Sequence, residues 1–266
     1  MPRVETPFGA IGFAEQGSGG VPIVFLHGVG SDKSVWKPQL EHFGRSRLAV
    51  AFDYPGYGDS APAAAGMTRD DYAAAILAAM DGLGIGAAHV CGLSLGGVVA
   101  IAMHAAAPER CASLVIADSF AVHPDGRGIH QRGLEASTTI GMRALAEARA
   151  PLLLGAGASA ELRDEVVETM ARIDPAAFAI GLEAVWLADQ RGRAAAIDVP
   201  TLVIVGAEDK VTPPNLSRQL ADEVAGAEMH EIAGAGHLAN IEKPHEFNRL
   251  VEAFVERVEA RGGVNG

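Results

Sequence analysis

The 266-residue chain has only two cysteines, Cys91 and Cys111, and each borders an apolar, strand-like run. That placement reads as two small buried thiols, not as a disulfide or a metal pair, and it fits the reducing cytoplasm. Positive charge is scarce too: 21 Lys and Arg stand against 33 Asp and Glu, a net charge of −12. Nucleic acid and anionic membrane surfaces would both be repelled, so neither is expected as a partner. The opening Met1-Pro2-Arg3-Val4-Glu5-Thr6 lacks the apolar core of a signal peptide, and no apolar run approaches a membrane span. Metal-protease chemistry lacks its second histidine, because Gly234 stands where His230-Glu231 would require it. Gly92 to Gly97 has phosphate-loop spacing, but Val98 occupies the lysine position. Gly82 to Ala87 matches a relaxed dinucleotide fingerprint yet runs from helix into strand, the wrong direction for that motif. No metal and no cofactor are therefore expected. Internal repeats and low-complexity tracts are missing as well, although Ala61–Ala65 reads as a loop.

What is present is a soluble, globular composition, 49% apolar and 20% charged, long enough to bury a sizeable core. Arg3–Thr6 and Ala10–Glu15 read as an opening hairpin around Pro7-Phe8-Gly9. Pro22–Leu26 is a continuous apolar run suited to a strand buried on both faces, followed by a helix over Val35–Phe43 and a strand at Arg47–Phe52. Thr68 and Asp71 form a capping-box pattern for an Ala-rich helix running to Met80. Strands follow at Ala87–Val90 and Ala112–Ala117, separated by a buried helix that ends near Ala107-Pro108. From Ser119 to about Ile197 strand signals stop; Ser159 opens one helix to Ile173, and Asp174-Pro175 caps another to Ala188. Alternation resumes with a strand at Pro200–Val205, a helix from Pro213-Pro214 to Val224, a strand at Glu228–Ile232 and an amphipathic helix over Pro244–Arg261. The pattern predicts an α/β fold with a mostly parallel eight-stranded sheet and helices on both faces. Residues 1–118 and 198–266 would form its core, and 119–197 an inserted helical cap.

The chemistry centres on Cys91-Gly92-Leu93-Ser94-Leu95-Gly96-Gly97, a Gly-x-Ser-x-Gly between a strand and a helix. A turn this tight excludes bulk two residues either side of Ser94, and it exposes the hydroxyl at a helix N-terminus, where the dipole favours negative charge. The hydroxyl needs a base. Among the nine histidines, His237 in Gly234-Ala235-Gly236-His237-Leu238 sits in a small-residue loop directly after the last strand, where functional groups gather in open α/β sheets. His27 follows a strand but suits loop shaping better, and His104 lies inside a helix. Asp209, at the end of another strand, is the candidate acid that orients the imidazole; Asp118 is the alternative, and a purely capping role before Pro213 is the other reading of Asp209. An oxyanion would be met by the backbone amides of Leu95 and Val29.

Together these segments resemble the α/β-hydrolase superfamily over essentially the whole chain. His27-Gly28 after a strand, Asp53-Tyr-Pro-Gly-Tyr-Gly-Asp-Ser60, the Ser94 turn and the Asp209 and His237 loops stand in family order, Ser…Asp…His. Trp36-Lys37-Pro38-Gln39-Leu40, Asp209-Lys-Val-Thr-Pro-Pro214 and His237-Leu-Ala-Asn-Ile-Glu-Lys-Pro244 look most like the 3-oxoadipate enol-lactonases and their esterase relatives. Asp53-Tyr54-Pro55-Gly56-Tyr57 departs from the Arg-Gly-His version usual in lactonases, and the cap gives no clear match. The resemblance implies a cytoplasmic serine hydrolase acting on a small carboxylic ester or lactone. Carbon–carbon hydrolysis of the meta-cleavage type is the first alternative, and a non-catalytic ligand receptor the second. Trp36, Met142, Phe178 and Trp186 are candidates for the substrate wall, with core packing as the competing role for each. Arg143 is a candidate partner for a substrate carboxylate, against an ordinary solvated helix arginine.

Overall fold

The computed structural model describes residues 2–262. Eight strands form one sheet: β1 (Arg3–Thr6), β2 (Gly9–Gln16), β3 (Ile23–Leu26), β4 (Ala49–Phe52), β5 (Ala88–Leu93), β6 (Cys111–Ala117), β7 (Thr201–Gly206) and β8 (Glu228–Ile232). Their spatial order is β1-β2-β4-β3-β5-β6-β7-β8. The β1–β2 hairpin joins antiparallel to β4, and every later neighbour pairs in parallel. The eight-stranded, mostly parallel sheet expected from the sequence is thus present.

Alternation along β3 divides the interior into two halves. Val24 and Leu26 face one apolar cluster, and Ile23 and Phe25 face the other, so both sheet faces need helical cover. On the first face lie α2 (Arg69–Gly82) and α3 (Leu95–Ala106); on the second lie α1 (Lys37–Phe43) and the C-terminal helix over Pro244–Gly262. The Thr68/Asp71 capping box forms, with each side chain accepting from the other's backbone amide. The helix expected from Val35 differs at its start. Lys33–Trp36 is a 3-10 turn, and the α-helix begins only at Lys37, with Pro38 in its first turn where a missing N–H is harmless.

Between β6 and β7 come α4 (Gly126–Thr139), α5 (Gly141–Leu153), α6 (Ala160–Ala171), α7 (Pro175–Trp186) and the short α8 (Arg191–Ala194). Among the described residues the sole bridge in this stretch pairs Val122 with Asp189. After β7 comes α9 (Pro214–Glu223), and after β8 the single turn α10 (Ala239–Glu242) leads into α11 (Pro244–Gly262). Cys91 and Cys111 are free and buried, and burial pushes the Cys111 thiol up to about 12. Among the described residues no helix is long and apolar enough to cross a membrane.

Chain direction reverses its spatial sense at β3: the next strand, β4, lies on one side of it and β5 on the other. The crevice outside the carboxyl ends of β3 and β5 is therefore a topological switch point, where ligands bind in open α/β sheets.

Candidate active site

Ser94 leaves β5 at that crevice with φ 55° and ψ −113°, one of two non-glycine residues with positive φ among those described. Such a backbone persists only when its surroundings hold it. Here Ser94 N donates to Ala117 O at 2.9 Å, and Ser94 O accepts from Ser119 Oγ at 2.8 Å and from the amides of Gly97 and Val98. The glycines are obligatory: a Cβ on Gly92 would overlap the Gly96 carbonyl, and one on Gly96 would overlap that of Leu26. Although Ser94 is the N-cap of α3, its hydroxyl makes no capping bond and stays available.

The side chains of His237 and Asp209 meet. His237 Nδ1 lies 2.8 Å from Asp209 Oδ2, with both side chains buried. The second carboxylate oxygen accepts from the amides of Val211 at 2.7 Å and Thr212 at 2.9 Å. Burial pushes the Asp209 carboxyl upward, but the His237 charge and hydrogen bond and the Thr212 donors more than offset it and hold it below the usual range. An ionised Asp209 makes Nδ1 the protonated nitrogen and leaves Nε2 as the basic one. Asp209 does shape the loop ahead of Pro213, yet it caps no helix, since α9 begins without a side-chain cap. His237 and Ser94 line one cleft that is open to solvent.

Asp118, the alternative acid, is arranged differently. Its φ is 47°, Oδ1 accepts from Gly206 N at 2.7 Å, and Oδ2 has no hydrogen-bond partner. Burial, reinforced by the Asp209 charge, pushes its pKa well above the usual carboxylate range and so disfavours the ionised form. Asp118 makes no hydrogen bond to His237, whose Nδ1 is paired with Asp209.

The loop after β3 abuts Ser94: a Cβ on Gly28 would stand 3.8 Å from its hydroxyl oxygen. His27 is buried, which lowers its pKa and keeps it neutral. Its Nε2 lies 3.4 Å from Tyr54 N, which only donates, so the ring proton sits on Nδ1 and is donated to Gly28 O at 2.8 Å. In a trans peptide the following N–H points opposite to that carbonyl, so holding Gly28 O also sets the direction of the Val29 amide. Neither the Val29 nor the Leu95 amide has another acceptor among the described residues. Lys33 anchors the far end of the loop. Its ammonium reaches Asp53 at 2.6 Å and Asp59 at 2.5 Å, and Asp53 also accepts from the amides of Lys33 and Asp59.

The predicted wall residues divide. Trp186 lines the cleft. Trp36, Met142 and Phe178 do not: Trp36 packs on Phe25 and Phe247 in one core half, and Met142 and Phe178 are buried in the other. Large apolar side chains satisfy burial equally in core or cleft, which is why composition cannot separate them. Arg143 is exposed and forms a bidentate pair with Glu168 at 2.8 and 2.9 Å, away from the cleft. Two residues carry no sequence signal for their positions. Thr212 Oγ1 sits 2.7 Å from Asp209 Oδ2 and 3.2 Å from His237 Nδ1, and Arg149 on α5 lines the cleft.

Residues 23–250 match the family model described as "Alpha/beta hydrolase family". The chain is 27% identical over 254 residues to 3-oxoadipate enol-lactonase 2 of Acinetobacter baylyi, covering 93% of this chain and 94% of that one. It is 30% identical to the 2-hydroxymuconate semialdehyde hydrolase of a Pseudomonas species, covering 91% and 89%. The crystal structure of the enol-lactonase from Burkholderia xenovorans superposes with a TM-score of 0.89 at 27% identity, over 96% of this chain and all of that one. With the sheet order, the Ser94 turn and the family model agreeing over most of its length, the chain belongs to the alpha/beta hydrolase family.

Proposed function

We propose that the protein is a serine hydrolase that cleaves a small carboxylic ester or lactone through an acyl-enzyme, with Ser94, His237 and Asp209 as its triad. The observation that carries this reading is the buried Asp209–His237 pair opening onto the same cleft as the uncapped Ser94 hydroxyl. In the first step Ser94 Oγ bonds to the substrate carbonyl carbon while its proton passes to His237 Nε2. The carbonyl π pair becomes an oxyanion, received by the Val29 and Leu95 amides. The intermediate collapses, the carbon–oxygen bond to the leaving group breaks, and His237 returns the proton to the departing alkoxide or enolate. Water then attacks the acyl-enzyme by the same sequence, restoring Ser94. Asp209 stays ionised throughout and steadies the imidazolium, and Thr212 holds that carboxylate in place.

Residues 119–197 act in this reading as a cap over a core of 1–118 and 198–266. Contacts at the β3 loop support it: a Cβ on Gly181 of α7 would stand 2.8 Å from Val29, and one on Gly30 would stand 3.4 Å from Met170 of α6. Wild-type protein is expected to hydrolyse p-nitrophenyl acetate and small lactones, and Ser94→Ala to lose about 10⁶-fold in turnover. Wild-type rates in Ser94→Ala would overturn the assignment. Carbon–carbon cleavage is the second reading, favoured by the likeness to the semialdehyde hydrolase. Side-by-side turnover of an ester, an enol-lactone and a dienoate ring-fission product separates the two.

A further inference from the structure

We propose that Glu242 is a positioning residue for the base: its carboxylate splints the His237 loop to the end of α5. The inference rests on the hydrolase reading for the reaction, while the splint itself is a property of the fold. Glu242 closes the single turn α10, where its amide donates to Leu238 O at 3.0 Å and brings the chain back over the loop it has just left. There Oε1 accepts from Gly236 N at 2.8 Å, and Oε2 accepts from Gly155 N at 2.7 Å. Gly236 directly precedes His237, and Gly155 lies two residues beyond α5. Both glycines are buried, so water does not readily replace an acceptor lost there. A carboxylate suits the place because it accepts through two oxygens and carries no proton of its own to face a second N–H.

His237 is tied to α5 a second time through its own amide. That amide donates to Leu153 O at 2.8 Å, a carbonyl that the helix end leaves without an intrahelical partner. The approach is tight: a Cβ on Gly155 would stand 3.1 Å from both Glu242 Oε2 and Gly236 N. Asp209 fixes the imidazole at its ring, and Glu242 with Leu153 fixes the backbone from which the ring hangs. Proton transfer to Nε2 depends on both, since ~1 Å of misplacement costs about 10²-fold. Glu208 supplies the contrast. Its Oε2 accepts from Ala156 N at 2.8 Å, the next amide along, yet among the described residues that side chain makes no hydrogen bond to the His237 loop. Two carboxylates therefore grip the end of α5, and only Glu242 also grips the base.

The test compares Glu242→Gln with Glu208→Gln. The first variant keeps one acceptor oxygen and sets its own N–H against the second backbone N–H, breaking one of the two bonds. With p-nitrophenyl acetate, kcat is expected to fall at least about ten-fold in Glu242→Gln with KM within about three-fold, and to stay within about two-fold in Glu208→Gln. A kcat within about two-fold of wild type in Glu242→Gln, or equal losses in the two variants, overturns the proposal. Fluorophosphonate labelling of Ser94 then reads the path of the effect. Glu242→Gln is expected to slow labelling at least about ten-fold alone, and less than about two-fold when added to His237→Gln. The same slowing in both backgrounds assigns Glu242 to general scaffolding and overturns the proposal. The proton that His237 Nδ1 donates to Asp209 gives a downfield NMR signal, which is read without turnover. It is expected in wild type and Glu208→Gln and is lost or broadened in Glu242→Gln; an equal signal in wild type and Glu242→Gln, or none in either, overturns the proposal. If wild type is never acylated at Ser94, the hydrolase reading fails while this signal still decides the splint. Glu242→Asp, whose shorter side chain cannot span both amides, serves the same comparisons should Glu242→Gln not fold.

Discussion

At the scale of single residues, two aspartates at neighbouring strand ends are shifted in opposite directions, and their hydrogen bonding and burial decide which way. Asp209 accepts four donors, which hold its pKa down, whereas Asp118 accepts one through its side chain and burial pushes its pKa up. Asparagine mimics a protonated carboxyl, and it tolerates the positive φ at 118. Asp118→Asn is therefore expected to keep activity within about three-fold of wild type, while Asp209→Asn should lose about 10⁴-fold through the wrong imidazole tautomer. Stability gives an independent check. In the unfolded chain Asp118 ionises above about pH 3.9, whereas the folded chain keeps its proton until a much higher pH. Between those two values the unfolded state gains stability as pH rises, and the wild type is penalised relative to Asp118→Asn. Thermal melts should show the two proteins alike near pH 4 and the variant ahead at pH 8. A variant that falls behind as pH rises would show that Asp118 is ionised in the fold.

At the scale of elements, the site depends on close backbone approaches between segments distant in sequence. The His237 loop lies against the end of α5, and a Cβ on Gly236 would stand 2.6 Å from Gly155 N and 2.7 Å from Leu154 C. Both are backbone atoms, with no rotamer to yield. Gly236→Ala is expected to destabilise by about 1–3 kcal/mol through overpacking. It should also lower kcat by shifting His237 away from Ser94, where ~1 Å of misplacement is worth about 10²-fold. Denaturant midpoints and single-turnover rates measure the two effects, and an unperturbed midpoint would mean that the loop and α5 are not in contact. The α5 element also explains why one wall residue was invisible in the sequence. Arg143 and Arg149 share a helix, six residues and about a third of a turn apart around its axis. Which one faces the cleft depends on how α5 packs against α6, not on either residue's own chemistry. The glycines at 126, 128 and 133 similarly hide α4, and Pro151 weakens the pattern of α5; tertiary packing overrides both.

At the scale of the whole molecule, the parts legible in the sequence are those governed by local rules. Continuous apolar runs marked the buried strands, and Thr68 with Asp71 marked a helix start. Gly92 and Gly96 marked a turn where no side chain fits, and strand-end loops pointed to Asp209 and His237, whose side chains the fold pairs. The parts that stayed hidden are set by contacts between distant segments. The apolar bulk of Trp36, Met142 and Phe178 predicted their burial, but not on which side of the cleft wall they would lie. The Lys33–Asp53–Asp59 cluster joins residues whose charges alone suggest solvated positions. What unites the molecule is a sheet whose strand order brings the Ser94 turn, the β3 loop and the His237 loop to one rim, so that Ser94 and His237 line one cleft. The most direct test is reaction with a fluorophosphonate followed by peptide mass mapping. A single adduct on Ser94 is expected, absent in Ser94→Ala and slowed at least about 100-fold in His237→Gln. Modification at another residue, or equal labelling rates in wild type and His237→Gln, would contradict the account.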